Sequence, residues 1–291
     1  MTQLPVVEGG GEPLSSIPRA RKLALLREHG GIVFRGFQVD HDEFVRLGTE
    51  LGARFYNMAL DSRIREMVTS DGHVAGVIKG TSALPLHMER GYSPLKPELV
   101  MFHVVTPSPV GGESLLCSGE RVLAGLPPAM VERFRRTRLM YRHVWEPQAW
   151  RGRYGATRDE AARVLAHRSD ILDVRFDGEL LHYSYIVSAI VRSRLGGGDA
   201  FCNNVEGAWE LQNASPETRR AVHEHVVMFE DGTPMTGDVI AAVRAAVDGA
   251  TEVHAIQAGD VEVLDNYRVM HGRRSFEGTR VMHTIMADAA F

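Results

Sequence analysis

Two short stretches carry the residue types best able to do chemistry. One is Leu86-His87-Met88-Glu89-Arg90-Gly91-Tyr92; the other, far along the chain, is Asp265-Asn266-Tyr267-Arg268-Val269-Met270-His271-Gly272-Arg273. In extended backbone, residues two apart project to the same face, so His87 and Glu89 aim an imidazole and a carboxylate at one point. His271 supplies a third ligand if the two stretches meet. Two histidines and one carboxylate on one side of a metal, with its other positions open, suit non-heme Fe(II) oxygen chemistry. The same three ligands with a bound water suit a zinc hydrolase.

Spacing alone does not carry the assignment. With 13 His and 37 Asp plus Glu in 291 residues, His-x-acid pairs arise by chance, and His41-Asp42-Glu43 is a second one. It opens an amphipathic segment where residues two apart on a helix diverge, so His41 and Glu43 are read as a solvated helix start. His223-Glu224-His225 falls in a segment read as helix, which turns the two imidazoles about 200° apart. His103 lies inside the apolar run Leu99 to Val105 and is read as a hydrogen-bonded core histidine.

The surroundings of the first pair are more specific. Pro107-Ser108-Pro109-Val110-Gly111-Gly112-Glu113-Ser114 follows it, and Gly259-Asp260-Val261-Glu262-Val263-Leu264-Asp265-Asn266 leads to His271-Gly272-Arg273 and Phe276-Glu277-Gly278-Thr279-Arg280. This ordered set resembles the TauD/TfdA superfamily of Fe(II)- and 2-oxoglutarate-dependent oxygenases. Within it, His-x-Glu and the Gly-Gly-Glu-Ser turn look most like the clavaminate synthase and SyrP-like branch. The resemblance spans about residues 30 to 288.

The resemblance implies a double-stranded β-helix (jelly-roll) with flanking helices. It implies Fe(II) on His87, Glu89 and His271, with 2-oxoglutarate and O₂ at the open positions. Arg280, nine residues after His271, stands where the family places the arginine for the far carboxylate, and an arginine can clasp a carboxylate through two parallel hydrogen bonds. Ser114 takes the place of the usual turn threonine and adds a hydroxyl. The implied reaction turns 2-oxoglutarate into succinate and CO₂ while oxidising an unactivated C–H bond. Because Glu89 occupies a position that related halogenases leave to a small residue, hydroxylation is expected, with desaturation or ring closure as alternatives. A catalytically silent protein on the same fold is the alternative of another class.

Taurine dioxygenase grips its sulfonate with a second arginine four positions after the first. Here that position is Thr284, so a taurine-like substrate is not expected. The branch implies a small-molecule substrate, an amino acid or a related metabolite, free or tethered to a carrier protein. Tyr56, Asn57, Lys79, Ser82 and Arg90 are candidates for the mouth of the site.

The elements that must position these residues read as a mixed α/β chain with a mainly β core in one domain spanning 1–291. Ser16 and Pro18 suit a helix start, and a helical face runs to Gly30-Gly31. Ile32 to Phe37 reads as strand, and Asp40 caps a helix with Phe44, Leu47 and Leu51 on one side. Asn57 to Gly80 shows no clear period. Leu99 to Val105, Leu139 to Trp145 and Leu180 to Val187 read as strands. Pro127 to Arg138, Asp159 to His167, Pro216 to Met228 and Asp238 to Val247 read as helices. Around 145–215 the pattern is poorly readable. Val261 to Leu264 alternates as a strand that leads into a loop bearing His271, with Asp265 and Asn266 shaping that loop through side-chain bonds to backbone. Gly196-Gly197-Gly198 lacks nucleotide-loop spacing and reads as a flexible turn.

Composition narrows the class. A 44% hydrophobic and 24% charged content fits a globular chain. The net charge of −4 gives no reason to expect nucleic acid, which calls for a clustered basic surface. No apolar run approaches the ~20 residues of a membrane helix, and no signal pattern opens the chain. Cys117 and Cys202, 85 positions apart, are expected as reduced thiols in a cytoplasmic protein.

Overall fold

The computed structural model describes residues 4–61, 64–215 and 224–291. Its N-terminal part is β1 (Val6–Glu8), α1 (Arg19–His29), β2 (Gly31–Arg35), α2 (His41–Leu51), β3 (Gly52–Phe55) and β4 (Val74–Gly76). Next come β5 (Leu84–His87), β6 (Leu99–Thr106), β7 (Val110–Gly111) and β8 (Ser114–Ser118). Two helices, α3 (Gly119–Gly125) and α4 (Pro128–Arg136), lead into β9 (Leu139–Trp145), α5 (Pro147–Trp150) and α6 (Arg158–Ala166). Then follow β10 (Ile171–Asp177), β11 (Leu180–Val187), β12 (Ile190–Arg192), β13 (Asp199–Phe201), α7 (Val205–Gln212) and β14 (Glu224–Phe229). The chain closes with α8 (Gly237–Ala250), β15 (Thr251–His254), β16 (Val261–Asp265), β17 (Val269–Arg273), β18 (Phe276–Glu277) and β19 (Val281–Ala289).

Local chemistry sets these limits. Gly30 ends α1 at a φ of 76°, the left-handed conformation open to glycine. Asp40 caps α2 by accepting a 2.8 Å hydrogen bond from the Glu43 amide. Thr157 and Glu160 form a capping box at the head of α6.

Two sheets make the jelly-roll. The larger runs β1-β2-β16-β6-β19-β3, with β4 added on β19; the smaller runs β15-β8-β17-β5. Val33, Val100, Phe102, Leu264 and Met282 of the larger sheet meet Leu116 and Val269 of the smaller to fill the space between them. The outer face of the larger sheet buries Phe34, Met101, Val263 and Ile285 against Leu23, Leu26, Phe44 and Leu47 of α1 and α2. The segment of poor periodicity contributes β10 and β11 to a third sheet, β10-β11-β9-β14. Its aromatic face, with Tyr141, Trp145 and Tyr183, shares a core with Cys117 and Met270 of the smaller sheet and with α8.

Four expectations need correction. The helix read over Pro216 to Met228 fails where the chain is described, because Glu224–Phe229 pairs with β9 as strand. Alternating apolar residues at Val227 and Phe229, both buried, outweigh the helical spacing read there. His223, and the side chains of Glu224 and His225, lie outside the described residues. His271 stands on a strand, β17, rather than on a loop. Glu43 is not solvated: it is buried and accepts from the Ser15 amide. The triple-glycine turn is no loose hinge, since Gly197 packs against the Arg268 guanidinium and Gly198 donates to Glu120 at 3.2 Å.

Candidate metal centre

The centre is built on the antiparallel pairing of β5 with β17, which sets His87 directly opposite His271. Side chains facing each other across such a pair stand close, and the two imidazole centroids are 4.4 Å apart. Glu89 arrives differently from the way its spacing suggests. β5 ends at His87, and Glu89 lies in the following turn, beside Arg90 with a φ of 55°. Its position comes from Asn266, which is fully buried. The Asn266 side chain accepts from the Glu89 amide at 2.8 Å and donates to the Glu89 carbonyl at 3.0 Å and the Pro97 carbonyl at 2.9 Å. Asp265 accepts from the Tyr267 amide at 3.0 Å and holds the turn between β16 and β17.

One donor atom from each of His87, Glu89 and His271 lies within 4.8 Å of the others. A single ion with bonds of about 2.0–2.2 Å can bridge that span with small side-chain shifts. The donors are prepared for it. His87 Nδ1 sits 2.8 Å from the Pro85 carbonyl, which fixes the proton there and leaves Nε2 as the free lone pair. Burial and the neighbouring His271 push the His87 pKa down to about 4, so the ring is neutral at physiological pH. Burial opposes ionisation of Glu89, yet Arg65, 3.2 Å away, together with His271 holds the carboxyl below the usual carboxylate range. Phe102 packs beside the His271 ring at 5.1 Å. The set matches a divalent cation.

These three residues and Arg280 line one pocket. Val77, Ile78, Leu84 and Met282 give it apolar walls. Ser114, Glu262, Arg273 and Arg280 line it too. The two arginines differ. Arg273 gives its two terminal nitrogens to the carbonyls of Ile78, Gly80 and Ser82 at 2.9–3.1 Å, while its Nε is buried without a partner. Arg280 Nε is buried without an acceptor. Burial, with Arg273 nearby, lowers the Arg280 pKa to about 10, so it stays charged at neutral pH.

Of the other candidates from sequence, none lines this cavity. Tyr56 donates to the Lys96 carbonyl at 2.8 Å and contacts Asp288 at 3.1 Å. Asn57 accepts from the Ala59 amide. Arg90 is buried, with its guanidinium 5.5 Å from the Tyr56 ring. Lys79 is exposed and lines a neighbouring open groove, and Ser82 contributes its carbonyl to Arg273. Thr284 is fully buried on β19. Sequence reasoning missed Arg65, Arg273 as a brace, and Glu262. Glu262 did leave a signal, a carboxylate where the Val-Glu-Val-Leu alternation turns inward.

The dapdiamide synthesis protein DdaC of Enterobacter agglomerans is 23% identical over 280 residues, covering 92% of this chain and 84% of that protein. A clavaminate synthase-like protein of Arabidopsis thaliana is 24% identical over 274 residues, covering 88% and 81%. The structure of an asparagine oxygenase in complex with Fe(II), 3-hydroxyasparagine and succinate superposes with a TM-score of 0.55 at 16% identity, covering 94% and 80%. The profile of the taurine catabolism dioxygenase TauD, TfdA family matches residues 10–286, nearly the full described fold, and the chain therefore belongs to that dioxygenase family.

Proposed function

We propose that His87, Glu89 and His271 hold the Fe(II) ion of this 2-oxoglutarate-dependent oxygenase, and that Arg280 with Ser114 binds the far carboxylate of the cosubstrate. The observation that carries the reading is one pocket lined both by a three-donor cluster and by the Arg280 guanidinium, whose buried Nε has no partner. With iron, 2-oxoglutarate and O₂ bound, the centre supplies oxidising power toward an unactivated C–H bond and releases succinate and CO₂. The chain does the rest. Pro85 fixes the His87 tautomer, Arg65 keeps Glu89 ionised, and the apolar walls exclude water, which strengthens every charged contact inside. Arg280 provides permanent charge in a planar fork matched to a carboxylate.

The substrate in this reading is an amino acid or a related small metabolite, oxidised by hydroxylation. The asparagine oxygenase complex and the dapdiamide relative support that class. Free, buried thiols at Cys117 and Cys202 support a reducing, cytoplasmic setting, and no described helix is long and apolar enough to cross a membrane. The test is succinate release from 2-oxoglutarate under air with Fe(II), followed by mass spectrometry over a panel of amino acids, free and carrier-bound. A gain of one oxygen on an amino acid supports the reading. Activity with Zn(II) alone, hydrolytic and without succinate, would point to a hydrolase instead.

A further inference from the structure

Glu262 is a carboxyl group in a place built for an apolar side chain. On β16 it faces inward with Leu264, opposite Phe102 and Val33, in the core between the two sheets. It is 2% exposed, lines the cavity, and its Oε1 has no hydrogen-bond partner. A buried, half-satisfied carboxyl costs free energy unless it is neutral or paired, so a ligand contact is the natural use for it.

The charges around it decide its state. Just ahead of its own strand stands Asp260, which is engaged by Arg35 of β2 at 2.7 Å. From β8 it meets the Ser114 hydroxyl. Across from Ser114 stands His254 of β15, whose pKa burial lowers, beside Glu252. Arg273 gives its terminal nitrogens to three backbone carbonyls and keeps its charge nearby. Arg280, with no carbonyl on its guanidinium, is then shared by two carboxyl groups once a ligand carboxylate enters. Two carboxylates brought together in a dry site repel, which favours a proton on one of them.

Resting on the cosubstrate reading above, we infer that Glu262 is a third contact for the far carboxylate of 2-oxoglutarate, bound as the carboxylic acid and donating its O–H to that carboxylate beside Arg280 and Ser114. The proton comes from solvent, so cosubstrate binding takes up one proton wherever free Glu262 is ionised. Burial already raises the Glu262 pKa to about 7 in the free protein, against the opposing pulls of Ser114 and Arg280. Affinity is then flat below that pH and falls tenfold per unit above it.

The experiment is calorimetric titration of 2-oxoglutarate into the anaerobic Fe(II)-loaded full chain at pH 6 and pH 8, in buffers of differing ionisation enthalpy. Binding should be roughly 10-fold weaker at pH 8, with close to one proton taken up there and almost none at pH 6. Glu262→Gln keeps a donor and loses the titration, so it should bind equally at both values with no uptake. Binding by the unaltered protein without proton uptake at pH 8, or unchanged uptake in Glu262→Gln, overturns the inference and leaves the cosubstrate reading intact. No binding at either pH overturns both. The unaltered protein reports proton uptake alone, so the test stands even if the variant fails to fold.

Discussion

Asn266→Ala is the sharpest probe of how the centre is assembled, because Asn266 touches no ligand atom yet positions one. Its side chain makes three buried hydrogen bonds, two to the Glu89 backbone and one to Pro97. Alanine leaves one amide and two carbonyls without partners in a fully buried turn. At about 0.5–1.5 kcal/mol per bond the loss is roughly 2–4 kcal/mol. For a chain of this length that corresponds to a fall in Tm of roughly 3–7 °C. The same change frees the turn that carries Glu89, and loss of an outer support typically weakens a metal site roughly 10- to 100-fold. Thermal unfolding would be followed together with Mn(II) or Fe(II) affinity by chelator competition, well below the lowered Tm. The reasoning predicts that both fall. A variant that melts earlier but binds metal as tightly as the unaltered protein would show that Glu89 finds its place without Asn266, and the account of the turn would be wrong.

Arg280→Ala should weaken 2-oxoglutarate binding roughly 10- to 100-fold, the worth of a lost charged hydrogen bond of about 1.5–3 kcal/mol, with metal affinity unchanged; equal cosubstrate affinity would mean another group holds that carboxylate. His87→Ala and His271→Ala should each abolish metal retention and succinate release, and full activity in either would remove the metal assignment. Glu262 carries a folded-state pKa raised to about 7, so its contribution to stability is present below the unfolded value and is lost as pH rises through 7. Glu262→Gln should accordingly melt higher than the unaltered protein at pH 8, by up to about 3 kcal/mol, with the advantage gone near pH 4; a pH-independent difference would contradict the assignment. Gly197→Ala places a Cβ 2.2 Å from Arg268 Nε at a φ of +79°. Arg268 in turn donates to the C-terminal carbonyls of α1, so this change should cost about 1–3 kcal/mol in denaturant unfolding, and no loss would show that the guanidinium relocates freely.

Much of the framework is written in local sequence. Asp40 before an amphipathic run, Gly30 after one, and the continuous apolar stretch at Leu99 to Val105 each act through nearest neighbours, so one chain in one pass suffices to read them. The candidate metal residues were legible for a related reason: His-x-Glu and the spacing from His271 to Arg280 are short patterns tied to a chemistry. What local pattern could not give was the company those residues keep. The strand at Glu224–Phe229 exists because β9 offers it a partner, and Glu89 owes its place to Asn266, 177 positions away. Arg65 and Arg273 are two arginines among many in the sequence; one becomes the counter-charge of Glu89 and the other a brace for backbone only when the sheets close. The difference between Arg273 and Arg280 is a matter of which carbonyls surround each guanidinium. Glu262 shows the divide most clearly: its residue type is fixed by the sequence, while its burial beside the Arg280 guanidinium is fixed by the meeting of two sheets. Hydrogen-bond partners and dielectric surroundings are properties of three-dimensional packing, and they are what turn a residue type into a role.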